Sequence, residues 1–121
     1  FRNIDRHDVE LAHGLIALRI DESMYFANAQ VLEDKIESLV AASSDTRAVL
    51  LIMSAVNQLD STALTMLDEL EKNLQAKNIS LQFAEIKGPV LDRLLNTDLG
   101  QRMQDRIFLS THQAFQNYSE K

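Results

Sequence analysis

The chain has no cysteine and no tryptophan, one proline, Pro89, and three isolated glycines at 14, 88 and 100. Without thiols it can form neither a disulfide scaffold nor a cysteine-based zinc site, and thiol catalysis is excluded. Scattered glycines make no phosphate-cradling loop. No apolar stretch approaches the roughly 18–20 residues that span a bilayer, and the amino terminus, Phe1-Arg2-Asn3-Ile4-Asp5-Arg6, is charged rather than signal-like. Basic charge is also scarce. With 18 acidic against 12 basic residues the net charge is −6, which disfavours nucleic acid and anionic membrane surfaces as partners.

What is present suffices for one domain: 121 residues bury roughly 65% of the unfolded chain's surface on the usual scaling. The chain begins at Phe1 with no initiator methionine, which reads as a piece of a longer chain. Residues 1–8 are polar and aperiodic and read as a linker or tail, leaving 9–120 as the domain. Val9–Leu11 and Leu15–Ile20 are apolar runs around Ala12-His13-Gly14, where Gly14 can take a positive φ, so a β-hairpin is expected. From Asn28, a plausible N-cap, Val31, Leu32, Ile36, Leu39 and Val40 keep a helical period of roughly four turns.

Ala48-Val49-Leu50-Leu51-Ile52-Met53 has no polar alternation and reads as a strand buried on both faces. Leu64, Leu67, Leu70 and Leu74 then mark an amphipathic helix whose other face carries Asp68, Glu69, Glu71 and Lys72. It ends at Lys77-Asn78, where Asn suits a left-handed terminus. Ile79, Leu81 and Phe83 alternate with Ser80, Gln82 and Ala84 as a strand with one less apolar face. Pro89 opens a helix with Val90, Leu91, Leu94 and Leu95. Ile107-Phe108-Leu109 is a last strand, and Ser110 or Thr111 caps a helix containing Ala114, Phe115 and Tyr118. The order ββαβαβαβα defines an α/β domain with a mixed β-sheet of about five strands and helices packed on it.

Catalytic chemistry finds no support. His7, His13 and His112 have no partner at ligand spacing, so no metal site is expected. Asp60-Ser61 lacks the G-x-S-x-G elbow of a hydrolase. The paired acids Asp21-Glu22, Glu33-Asp34 and Asp68-Glu69 read as solvated surface. The informative segment is the polar turn Asn57-Gln58-Leu59-Asp60-Ser61-Thr62, between the buried strand and its helix. Ligands and partners collect at the carboxyl ends of strands in open α/β sheets. Asp60, Ser61 or Thr62 suits the helix cap, and an exposed hydroxyl there suits a contact or phosphorylation switch.

A ββαβαβαβα chain whose second helix opens with Asp60-Ser61-Thr62-Ala63-Leu64 resembles the STAS family, named for sulfate transporters and anti-sigma factor antagonists, over about residues 8–120. In the antagonists that turn reads Asp-Ser-Ser/Thr-Gly-Leu and its third residue is phosphorylated. Thr62 stands at that position here, while Ala63 replaces the glycine. Ile20-Asp21-Glu22-Ser23-Met24-Tyr25-Phe26-Ala27-Asn28-Ala29 resembles the strand-to-helix lead-in of the cytoplasmic C-terminal domains of bacterial SulP anion permeases, and Val49–Asn57 resembles their central strand.

The resemblance implies a non-catalytic regulatory and docking domain without cofactor, on the cytoplasmic side of the inner membrane. Its partners would be the membrane domain of the same chain, acyl carrier protein and, through the parent, a homodimer. The parent would carry sulfate, bicarbonate or a dicarboxylate. The alternative is a free-standing anti-sigma factor antagonist switched at Thr62; a nucleotide-binding domain is disfavoured without a phosphate loop. Residues 21–46 carry six acids against Lys35, whereas 87–106 carry Lys87, Arg93, Arg102 and Arg106 against Asp92, Asp98 and Asp105. An acidic partner is therefore expected to meet Arg93 and Arg102. Tyr25 and Phe26, an aromatic pair at the helix start, are candidate contacts beside the Thr62 loop, or else core residues.

Overall fold

A computed structural model describes residues 4–7, 13–21 and 26–119. They form a five-stranded sheet, in the spatial order β1 (Ile4–His7), β2 (Leu15–Ile20), β3 (Ala48–Ile52), β4 (Ser80–Ala84) and β5 (Ile107–Phe108). β1 is antiparallel to β2, and the remaining neighbours are parallel. The helices are α1 (Phe26–Ala41), α2 (Ser61–Ala76), α3 (Gly88–Leu95), α4 (Asp98–Arg102) and α5 (Thr111–Ser119), with a 3₁₀ turn at Gln104–Arg106. The expected mixed α/β sheet is thus present, and α4 is an addition that the periodicity did not reveal.

The hairpin differs in register from the expected one. β2 pairs with Ile4–His7, Ile4 opposite Ile20 and His7 opposite Ala17, so part of the polar amino-terminal segment is a strand. Val9–Leu11 lies outside the described residues. An edge strand has only one neighbour to satisfy and tolerates polar residues, so it carries no apolar run that would mark it. α1 likewise starts at Phe26, which puts Asn28 inside its first turn rather than at its cap.

β3 explains the layering. All five of its residues are buried; Val49 and Leu51 enter the core with α1, α2, α3 and α4, while Ala48, Leu50 and Ile52 face a second cluster under α5. α5 also covers the side of β4 that alternation assigned to solvent, so Gln82 and Ala84 are buried as well. Gln82 Nε2–H donates to Ser80 Oγ at 3.3 Å, and its Oε1 has no partner among the described residues.

Local signals set the ends of the helices. Asn78, at φ 62°, ends α2: its N–H donates to the Gln75 carbonyl, and the Ile79 N–H reaches back to Leu74. This pair of hydrogen bonds, with Ile79 and Leu74 both in the larger core, is the Schellman arrangement. Gly14 takes the expected positive φ, 84°, where the Tyr118 hydroxyl donates to the His13 carbonyl.

Gly100 brings α4 onto α3. A Cβ there would lie 2.1 Å from the Leu94 carbonyl oxygen and 2.8 Å from Leu95 Cα, both backbone atoms that cannot swing away. At Gly88 a Cβ would meet nothing within 4 Å. Gly100→Ala is therefore expected to cost about 2–3 kcal/mol in urea unfolding, while Gly88→Ala leaves stability within about 1 kcal/mol of the parent. Equal effects of the two substitutions would refute the close approach.

Candidate functional site

The segment between β3 and α2 leaves the sheet at its carboxyl edge. The Met53 N–H donates to the Ala84 carbonyl at 2.9 Å and the Val56 N–H to Met53 at 3.0 Å. Val56 and Leu59 are buried, which turns Asn57 and Gln58 outward. Asp60 has extended backbone, φ −81° and ψ 171°, and its Oδ1 accepts the Ala63 N–H at 2.7 Å. Of the three capping candidates, Asp60 is the cap.

Ser61 and Thr62 form the exposed start of α2. The Ser61 hydroxyl oxygen accepts from Arg93 Nη2 at 3.2 Å, and Arg93 Nε–H donates to the Leu59 carbonyl at 2.6 Å. Lys87 Nζ donates to Asn57 Oδ1 at 2.5 Å. Two cations from the start and middle of α3 thus grip the loop from outside. Two clefts flank this contact. One, of about 600 Å³, lies between α2 and the α3–α4 corner, with Leu64, Thr65, Asp68 and Leu99 in its lining. The other, of about 280 Å³, lies between the loop and Pro89, Val90 and Arg93.

The structure brings Arg93 together with Asp60, Ser61 and Thr62 but separates Arg102 from them. Arg102 Nη2 donates to Asp68 Oδ1 at 2.5 Å and to Glu71 Oε1 at 2.8 Å; Arg106 Nη2 lies 3.4 Å from Glu71 Oε2. Glu71 is only 1% exposed, so Arg102 and Arg106 neutralise a buried carboxylate and lock the chain after α4 onto α2. Assigning Glu71 to the polar face was an error. It stands four residues after Leu67 and three before Leu74, on the same helical stripe, and that spacing was the available signal. Tyr25 lies outside the described residues; Phe26 opens α1.

Charge elsewhere follows the same local logic. Arg102 donates to the Asp68 carboxylate and, with a smaller contribution from Lys72, holds its pKa below the ordinary value. Burial, then Glu37, Glu69 and Asp34, push Glu33 upward. Glu85, at φ 61°, accepts the Thr111 hydroxyl at 2.6 Å and the Thr111 N–H at 3.1 Å, tying the end of β4 to the start of α5. Among the described residues, no group of three His, Cys, Asp or Glu side chains is arranged to hold a metal ion. No helix among them is long and apolar enough to cross a membrane.

A mixed sheet of four parallel strands and one antiparallel edge strand, with crossover helices on one face, a terminal helix on the other and a polar capped turn after its central strand, defines the class. The STAS domain profile matches residues 6–114, and the chain belongs to that family. Sulfate transporter 1.3 of Arabidopsis thaliana is 29% identical over the whole of this chain and 20% of its own length. The chain therefore spans about one-fifth of the curated relatives it matches. The murine Solute Carrier 26 family member A9 anion transporter, inward-facing, superposes with a TM-score of 0.84 at 16% identity, over all of this chain and 23% of that one. The unphosphorylated anti-sigma factor antagonist SpoIIAA superposes at 0.78 with 10% identity, over 98% of this chain and 97% of that one.

The two Thr111 hydrogen bonds hold the Glu85 carboxyl below its ordinary value of 4.5. A depressed carboxyl pKa contributes stability that is complete above the unfolded value and lost as pH falls through the folded one. Glu85→Gln should therefore be less stable than the parent near neutral pH. In urea unfolding the two curves should converge as pH falls through the lowered folded-state value, and a gap that does not vary with pH would remove the carboxylate charge as its cause.

Proposed function

We propose that this domain is the cytoplasmic regulatory and docking module of a SulP-type anion transporter, itself without catalytic activity. The observation that carries the reading is the alignment of the whole chain with one-fifth of the length of a sulfate transporter. On this reading the parent moves sulfate, bicarbonate or a dicarboxylate, and the domain meets the membrane portion of its own chain and supports dimeric assembly. The gene provides the decisive test: sequence upstream of Phe1 should encode many apolar helices, and a start codon a few residues upstream would overturn the proposal.

An acidic partner such as acyl carrier protein fits the α3 side of the loop. Lys87 and Arg93 are exposed there, whereas Arg102 is committed to Asp68 and Glu71. Opposite potentials across a contact chiefly raise the association rate and fix register. Reversing both Lys87 and Arg93 to Glu should weaken acyl carrier protein binding at least about tenfold in titration calorimetry, about 1.4 kcal/mol, without unfolding the domain. Unchanged affinity would exclude this surface.

A second reading, a phosphorylation-switched antagonist, is favoured by the exposed Thr62 hydroxyl in the first turn of α2 and by the fold shared with SpoIIAA. A phosphate there meets the positive end of the helix dipole but also the Asp60 carboxylate. Phosphate incorporation from ATP by an anti-sigma factor kinase, abolished in Thr62→Ala, would support this reading; no incorporation would remove it.

A further inference from the structure

Among the described residues, Arg93 is the one side chain shared by the linings of both clefts. Its guanidinium donates to a residue from each lining. Nε–H holds the carbonyl of Leu59, which lines the smaller cleft, and Nη2–H holds the hydroxyl of Ser61, which lines the larger. With this side chain drawn aside, the two clefts would join into one groove. Its floor would run over Leu59, Val90, Leu64 and Leu99, all nearly buried.

The contact is well suited to exchange. An arginine carries five N–H donors, and Arg93 spends two of them on neutral oxygens. Three carboxylates line the clefts, and none is paired with Arg93 among the described residues: Asp60 accepts the Ala63 N–H, Asp68 is held by Arg102 and Lys72, and Asp98 stands in the first turn of α4. A planar guanidinium binds a carboxylate through two parallel charge-assisted bonds, stronger than bonds to a carbonyl and a hydroxyl. Lys87, which donates to the Asn57 side chain, adds a second cation beside the smaller cleft.

We propose that Arg93 is a strap closing one continuous groove, and that a carboxylate from an acidic segment of a partner protein draws it away and opens the groove. This rests on the reading of the loop as a docking surface and names the residue that gates it. The apolar floor then takes side chains flanking the acidic residue.

The test is nuclear magnetic resonance on the intact 121-residue chain, following the Leu59 carbonyl carbon, which reports its hydrogen bond to Arg93. In Arg93→Lys the ammonium cannot hold both acceptors in the fork geometry, so that resonance should shift. An octaglutamate peptide should shift it the same way in the parent chain, and should bind Arg93→Lys at least tenfold more weakly. An unmoved resonance in Arg93→Lys would overturn the strap. Saturation with the peptide without a shift, or equal affinity for both chains, would overturn its opening by carboxylate. The upstream gene sequence decides the transporter reading separately, so failure of the one is distinguishable from failure of the other.

Discussion

The double-sided burial of β3 is the constraint from which the rest of the architecture follows. Five consecutive buried residues need cover above and below. Right-handed crossovers between neighbouring parallel strands place α1, α2 and the α3–α4 corner on one face, so the second face remains for the chain that leaves β5. α5 fills that place, packing Ala114 against Ala48, Leu50 and Ala84. The sequential strand order sets the start of α2 beside the start of α3, and Arg93 can therefore reach a loop more than thirty residues away in sequence.

α2 transmits this constraint to the surface. Its leucines enter the larger core, and Glu71 on the same stripe is buried with them. An unpaired carboxylate there would cost several kcal/mol in lost hydration, which Arg102 and Arg106 offset by donating to both oxygens. The basic surplus of residues 87–106 is thus partly consumed inside the fold. The cations of this stretch that remain outward are Lys87 and Arg93 at the loop, while on the α1–α2 side burial, and after it the neighbouring Glu37, Glu69 and Asp34, push Glu33 upward. The net charge of −6 is therefore unevenly spread, with an acidic flank on α1 and α2 and two outward cations at the loop.

Elements with a strong period were legible from the chain alone. β2, β3, α2 and α3 follow apolar spacing, and Asn78 and Gly14 have the backbone signs their residue types suggest. Where the reading failed, the deciding interaction was tertiary. β1 is specified by pairing along Ile4–His7 rather than by apolar content. α4 is only five residues long and is placed by the contact of Gly100 with Leu94. Gln82 and Glu71 were assigned to solvent because a strand or helix shows which residues share a face but not what covers that face. The same limit applied to the site. Asp60, Ser61 and Thr62 could be singled out from their position, but the different fates of Arg93 and Arg102 depend on how α3 and α4 pack against α2.

The three polar residues of the turn consequently have separate roles. Asp60 commits Oδ1 to the helix cap, so its second carboxylate oxygen is the one left to meet a ligand. Ser61 is coupled to α3 through Arg93, so a change at its hydroxyl is felt across both clefts. Thr62 alone presents its side chain to solvent without a tie among the described residues. Ala63 bears on that freedom: its methyl group is fully buried in the larger core, anchoring the first turn of α2 where a glycine would leave more backbone freedom. A kinase needs an acceptor hydroxyl on a segment that can adapt to its active site, whereas a docking surface gains from one held rigid before contact. The buried methyl, the Asp60 cap and the Arg93 tie all act in the second sense, which is what the proposed docking role asks of the turn at the end of β3.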